Sequence, residues 1–386
     1  MCILNFNTKS MEERLKDIFK HLHEHPEISW EEHETRDYIQ SVVSPYNCKI
    51  QTFDDCAAVV VEIGSGKPVV AIRADMDALW QEVDETMQAN HSCGHDAHMT
   101  IVLGVFLTLM EKGLTERGTY RFIFQPAEEK GTGALKMVEH GVVDDVDFLY
   151  GMHLRPTEEL ATGQFAPAIL HGAAKFIEGT VLGEDAHGAR PHLNENSIQI
   201  GMEFFQHLNN IHADPRVPYS VKMTAFQAGG KNANIIPGKA AFSIDVRAQT
   251  NEVMTLLTDK IEKIARMLEE YHCVPVKLKT NAHVAAAVPN KRATEILQEA
   301  ITEQVGRENT KSAITTTGGD DFHFYTIQRP ELRATMLAIG CGLKPGLHHP
   351  QMTFNHEAIP EAVSILTNAM VKTAEKYSQE GIGCQQ

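Results

Sequence analysis

Several familiar signatures are missing from this chain, and each absence removes a class of function. No run approaches the roughly 18 consecutive apolar residues that a membrane span requires. There is no basic excess: the formal net charge is -16, which argues against nucleic acid or an anionic membrane as the main partner. There is no Walker A loop, no Gly-x-Gly-x-x-Gly after the first strand and no Gly-x-Ser-x-Gly elbow. Cysteine does not form a paired framework either. The seven cysteines, at 2, 48, 56, 93, 273, 341 and 384, are odd in number and follow no repeating spacing. The opening Met1-Cys2-Ile3-Leu4-Asn5-Phe6-Asn7 is too short for the apolar core of a secretory leader. These features together predict a soluble protein of the reduced cytoplasm. Internal repeats and low-complexity linkers are absent as well.

What is present reads as an ordinary globular composition, 42% apolar and 22% charged. At 386 residues the chain is long for one hydrophobic core, so two domains are expected. Ser10 and Glu13 form a capping box ahead of Leu15, Ile18, Phe19 and Leu22 at helical spacing. His21, His23 and His25 follow, and are expected to face solvent around the helix. Apolar strands are predicted over 57–63, 68–73, 119–125 and 147–152, with helices over 96–112 and 131–140. Strands alternating with helices imply an α/β domain with a mostly parallel sheet flanked by helices.

From about Ala174 the texture changes. Strands over 175–184, 220–228, 240–249 and 274–279 enclose helices over 197–212 and from a Thr250 cap to about Leu268. The order β-α-β-β-α-β is that of an inserted ferredoxin-like α+β satellite domain. The expected division is therefore a catalytic, metal-binding domain over 1–173 and 285–386, and a satellite domain over 174–284.

The chemistry concentrates where strands stop. In open α/β sheets ligands bind beyond the carboxyl ends of the strands. Asp75, Glu128, Glu129 and His153 each follow an apolar strand, and Asp75 is placed with the catalytic residues. Cys93 and His95 stand two apart in Asn90-His91-Ser92-Cys93-Gly94-His95-Asp96, where both would point one way in an extended loop. Thiolate and imidazole are preferred ligands of zinc and similar ions. With Glu129, His153 and either His348 or His349 they make a ligand set for two divalent ions sharing a water. Glu128 is left as the general base.

These residues also carry a resemblance. His25-Pro26-Glu27-Ile28-Ser29, Arg73-Ala74-Asp75-Met76-Asp77-Ala78-Leu79, His91-Ser92-Cys93-Gly94-His95-Asp96, Gln125-Pro126-Ala127-Glu128-Glu129 and Gly151-Met152-His153 occur in order. Over essentially its whole length the chain resembles the metallopeptidase-20 family of two-metal amidohydrolases. The resembling branch holds N-acyl-L-amino-acid amidohydrolases, hippurate hydrolases and auxin-conjugate hydrolases. The resemblance implies Cys93, His95, Glu129, His153 and His348 as ligands, with Cys93 bridging and His348 preferred over His349. It implies Glu128 as base and His187, in Ala186-His187-Gly188-Ala189-Arg190-Pro191-His192, as donor to the scissile carbonyl oxygen. Asn234 and Arg247 resemble positions that bind the amino-acid portion of the substrate. Strand alternation agrees for Arg247, which shares a face with Ser243 and Asp245.

The implied activity is hydrolysis of the amide of an N-acetyl or N-aroyl amino acid, through a water activated by Glu128. Two zinc, manganese, cobalt or nickel ions would serve it, and the satellite domain would act as lid or pair two copies of the chain. The alternatives are an aminopeptidase or dipeptidase on the same scaffold, or a binding protein that has lost turnover. Three departures from the family pattern stand out: Trp80 in place of proline, Asn196-Ser197 in place of Asp-Pro, and Asp320 in place of glutamate.

Overall fold

The computed structural model describes residues 9–383, which fall into two compact units. The first runs through Leu170 and is completed by Val288–Thr315 and the chain from Asp321 onward; the second is His171–Ala287 with Thr316–Asp320. Among the described residues no helix is long and apolar enough to cross a membrane.

The first unit is built on a seven-stranded sheet, in the order Lys49–Thr52, Val59–Ser65, Gly118–Gln125, Val69–Asp75, Phe148–Pro156, Arg333–Leu343, Phe165–Ala166. The four strands from Gly118–Gln125 to Arg333–Leu343 run parallel. The outer strands on either side are antiparallel. Every residue of Val69–Asp75 and of Gly118–Gln125 is buried. Strands buried at every position belong to sheets covered on both faces. In register Asp75 lies beside Gln125, so these two strands end level and deliver their following residues to one edge. The strand Phe148–Pro156 is longer than the expected 147–152. It pairs with Ala338 at His153 and continues to Pro156, so His153 sits within it.

One covering helix, His95–Glu111, is buried almost all round, which explains why its sequence shows little amphipathic periodicity. It begins at Gly94, in the left-handed region at φ 87. A Cβ there would also lie 2.7 Å from Leu154 Cδ1, so glycine is required on two counts. The sharp entry leaves Cys93 just outside the helix and His95 on its first turn. The Met11–Glu24 helix carries the capping box between Ser10 and Glu13, with Leu15, Ile18, Phe19 and Leu22 buried.

The second unit has an antiparallel sheet in the order Tyr219–Ala228, Lys239–Ala248, Ala173–Leu182, Val276–Val284. The Lys239–Ala248 strand alternates, with Phe242, Ile244 and Val246 buried among residues of the Ser197–Asn209 and Asn251–His272 helices. Burying side chains of this size is worth about 1.5–3 kcal/mol each, enough to hold one face of the sheet against its helices. Thr250 caps the longer helix, accepting the Val253 N–H. The segment Thr316–Asp320, expected with the catalytic domain, belongs to this unit instead. Gly318 accepts the Gly172 N–H at 3.1 Å, and a Cβ on Gly319 would strike Val284 at 2.3 Å.

Candidate metal centre

The groups gathered at the carboxyl edge of the first unit's sheet come from loops and a helix's first turn, apart from His153, which lies in the Phe148–Pro156 strand. Cys93 Sγ lies 3.6 Å from His153 Nε2. His95 Nε2 lies 3.9 Å from Glu128 Oε2 and 4.0 Å from Glu129 Oε1. His348 Nε2 is 3.3 Å from Glu129 Oε1. Donor atoms of Cys93, His95 and His153 fall within 4.8 Å of one another, and so do those of Cys93, Glu129 and His348. Cys93 is common to both sets.

The imidazoles are fixed by their other nitrogens. His153 Nδ1–H donates to the Leu154 carbonyl at 2.7 Å, which turns Nε2 toward Cys93. His95 Nδ1 faces the main-chain oxygen of Asp77 at 2.8 Å. Its Nε2 is buried and has no hydrogen-bond partner among the described residues. A buried polar nitrogen without a partner carries a penalty of about 1–3 kcal/mol, and a bound cation would remove it. The donors, a thiol, imidazoles and a carboxylate, suit zinc and the other first-row ions. On both grounds these residues fit a metal.

The electrostatics point the same way. Burial, reinforced by Glu129, holds the Cys93 thiol well above the ordinary range. A divalent cation would reverse that by favouring the thiolate. Burial also holds His153 well below the usual imidazole range, with His98 and Arg155 adding to it, so the ring is neutral as a ligand must be. His95 is the exception. Burial opposes its charge, yet Asp75, Cys93 and Asp77 outweigh burial and raise its pKa well above normal.

Asp75, expected among the catalytic residues, has both carboxylate oxygens engaged by the neighbouring His98 and Arg73 side chains. It is 0% exposed. His98 Nδ1–H donates to one of its oxygens at 2.7 Å and Arg73 to the other at 2.7 Å. Burial opposes its charge, but His95, His98 and Arg73 prevail and hold it well below the usual carboxylate range. The adjacent His98 is likewise engaged, since its Nε2 accepts the Leu154 N–H at 3.1 Å. The residue that holds the glutamate turn is Asp77, two positions on. Its carboxylate accepts the N–H groups of Glu128 and Glu129 at 3.1 and 3.0 Å and the Ser29 hydroxyl at 2.6 Å. The Arg-Ala-Asp-Met-Asp spacing carried that signal, because only the first aspartate belongs to the strand.

Other engaged residues were not singled out in advance. Asp321 accepts from Arg73, Gln125 and the Ala134 N–H, and its own N–H lies 3.3 Å from Glu128 Oε1. His23, expected to face solvent, is about half exposed, and it also bonds the buried Asp96 at 2.7 Å and stacks on Phe19. Two non-glycine residues at the centre, Ala127 at φ 54 and His348 at φ 64, are left-handed. Such strain is tolerated where surrounding contacts enforce it. His349 instead turns its Nδ1 to the Gln351 N–H.

The remaining predicted residues lie in the second unit. His187 accepts the Ala189 N–H at its Nδ1 at 3.0 Å, which places its proton on Nε2. Gly188 donates to the Asn234 carbonyl at 2.7 Å, so His187 and Asn234 share one corner of that unit. Arg247 is held by Asp245 at 2.9 Å and lies over the Phe176 ring at 5.1 Å.

Residues 71–372 match Peptidase family M20/M25/M40, and the chain belongs to that family. It is a hydrolytic enzyme. The N-acyl-L-amino acid amidohydrolase of Geobacillus stearothermophilus is 32% identical over 66% of this chain and 72% of its own. The IAA-amino acid hydrolase ILR1-like 4 of Arabidopsis thaliana is 29% identical over 90% and 83%. Among solved structures, the YXEP protein of Bacillus subtilis, a dinuclear metal-binding peptidase of the M20 family, superposes with a TM-score of 0.79. It is 26% identical, with 95% of this chain and 99% of that one covered.

Proposed function

We propose that this protein hydrolyses the amide bond of N-acyl amino acids, releasing a carboxylic acid and the amino acid. The observation that carries the reading is the pair of donor sets sharing Cys93, one with His95 and His153, the other with Glu129 and His348. These five residues would hold two divalent ions. Such ions, when bound, polarise a carbonyl and lower the pKa of water. The thiol and imidazole donors favour zinc, with manganese, cobalt and nickel as the other ions to test.

The chain's own residues supply the rest. Glu128 takes the proton of the attacking water and returns it to the leaving nitrogen. Asp77 fixes the main chain of both glutamates and the orientation of His95. His187, protonated on Nε2, donates to the carbonyl oxygen as it becomes negative. Asn234 and Arg247 engage the α-carboxylate end, Arg247 exchanging part of its contact with Asp245 for the substrate.

Two further features support the wider reading. The described cysteines 48, 56, 93, 273 and 341 are all free thiols, in keeping with a reducing cytoplasm. Ile198, Met202 and Phe205 form an exposed stripe on one helix of the second unit, which we assign to pairing of two copies.

Glu128→Ala tests the reading. The variant should keep its metal, by elemental analysis, and lose turnover on N-acetyl and N-aroyl amino acids by about 10²–10⁴-fold. Normal turnover would refute the base assignment. Preference for unblocked dipeptides over N-acyl amino acids would refute the substrate class.

A further inference from the structure

Three consecutive amides lead into the paired glutamates, and each donates to a buried carboxyl group. The N–H groups of Glu128 and Glu129 go to the two oxygens of Asp77. The N–H of Ala127 goes to Glu32 Oε1 at 2.8 Å. Glu32 precedes the His33–Val43 helix and is 0% exposed. Its other oxygen is also buried and has no hydrogen-bond partner among the described residues. A carboxyl group placed this way, supported by the Ala127 amide far along the chain and by the local main chain of Glu32 and Trp30, is costly to bury. The bond it makes is correspondingly hard to replace.

The amide it holds is the one that needs holding. Ala127 is fully buried and sits at φ 54, a conformation that costs a residue with a Cβ about 1–2 kcal/mol. The loop beyond is closed by Gly131 N–H to Glu128 O at 2.7 Å and Gly133 N–H to Ala127 O at 3.2 Å. A Cβ at Gly133 would lie 1.8 Å from the Pro126 oxygen, so the turn has no room to relax on that side.

We infer that Glu32 is a positioning residue: by accepting the Ala127 amide it locks the left-handed turn that sets the directions of Glu128 and Glu129. The inference rests on the roles given to those two glutamates above. Burial, with Asp77 close by, pushes the Glu32 carboxyl up to about 8. Near neutral pH it therefore holds the turn without adding another negative charge beside Asp77, Glu128 and Glu129.

Two near-isosteric variants separate this role from simple packing. Glu32→Gln keeps an oxygen that can accept the Ala127 N–H, and Glu32→Met fills the volume without one. With the intact protein, Glu32→Met should lower kcat roughly 10- to 100-fold, the scale expected when reacting groups are displaced by about 1 Å. KM should stay within about twofold, because the loss falls on the chemical step. Glu32→Gln should stay within about threefold of the parent rate on the same scale. Independently of activity, the visible spectrum of the protein loaded with cobalt(II) should change in Glu32→Met and not in Glu32→Gln, as Glu129 turns.

A Met variant with parental kcat and spectrum overturns the inference. So does a Gln variant damaged as badly as Met, because packing or charge would then be the cause. If the parent protein hydrolyses no N-acyl amino acid, the proposed function fails, while the cobalt spectra still decide whether Glu32 sets the glutamate geometry.

Discussion

His95 and Asp77 are joined twice: the imidazole Nδ1 lies 2.8 Å from the aspartate's main-chain oxygen and 3.4 Å from its carboxylate. That pairing commits the ring to presenting Nε2 to the acidic cluster. The same carboxylate also holds the amides of Glu128 and Glu129. One side chain thus holds an imidazole and the main chain of both glutamates at once.

Asp77→Ala should therefore weaken divalent-ion binding by about 10- to 100-fold, the usual cost of losing a group that orients a ligand. Asp77→Asn, which retains one acceptor, should lose less. Calorimetric titration with zinc or manganese measures both. Unchanged affinity in Asp77→Ala would remove the orienting role.

Stripping the protein with a chelator should abolish hydrolysis, and adding back divalent ion should restore it. Cys93→Ala should bind fewer than the parent's equivalents of metal, because its sulfur belongs to both donor sets. The ions also stabilise the fold by mass action, by about 2.7 kcal/mol at a hundred times Kd. A melting temperature indifferent to chelation would contradict this.

Arg73 lies between Asp75 and Asp321, 2.7 Å from each, with all three side chains no more than 1% exposed. Arg73→Met leaves two buried carboxylates without their cation. Such a break costs about 3–5 kcal/mol, readable from urea unfolding. A loss below about 1 kcal/mol, the range of surface ion pairs, would mean the network relaxes.

His272, in the second unit, faces a carboxylate oxygen at each ring nitrogen, Glu195 and Glu203, both at 2.9 Å. Burial opposes its charge, but the bonds to Glu203 and Glu195 outweigh burial and raise its pKa. Its contribution to stability is complete below the unfolded value of about 6.5 and is lost as pH rises through the higher folded value. The bond to His272 lowers the pKa of Glu203, so the carboxylate half fades only in acid. The melting-temperature advantage of the parent over His272→Gln should be larger at pH 6 than at pH 9. An advantage that grows with pH would reverse the assignment.

Much of this architecture was legible in the sequence because buried parallel strands announce themselves as short, mostly apolar runs. Their polar termini then mark an edge, which is how Glu128, Glu129 and His153 stood out. The limits have physical causes. Asp75 and Asp77 differ by two positions, share a residue type and are both buried, and only the end of strand pairing shows which one meets the glutamate amides. The His23 partnership with Asp96 joins segments 73 residues apart, and nothing local to either segment encodes it. Glu32 appears in sequence as one acid in the Glu31-Glu32 pair of a polar stretch, a pattern that solvated helix starts share. The Thr316–Asp320 segment looked like part of the closing half because its glycines signal close backbone approach without saying to what.

The strand Arg333–Leu343 is an interior member of its sheet, between Phe148–Pro156 and Phe165–Ala166, and His348 follows directly after it. On a ribosome, Cys93 and His95 emerge long before either, with the whole second unit translated in between. Until that late strand arrives, Phe148–Pro156 exposes an unpaired edge, a species prone to stray association and a natural client for chaperones. The donor set of Cys93, Glu129 and His348 therefore closes only once synthesis has passed residue 348, although Cys93, His95 and His153 have been translated long before.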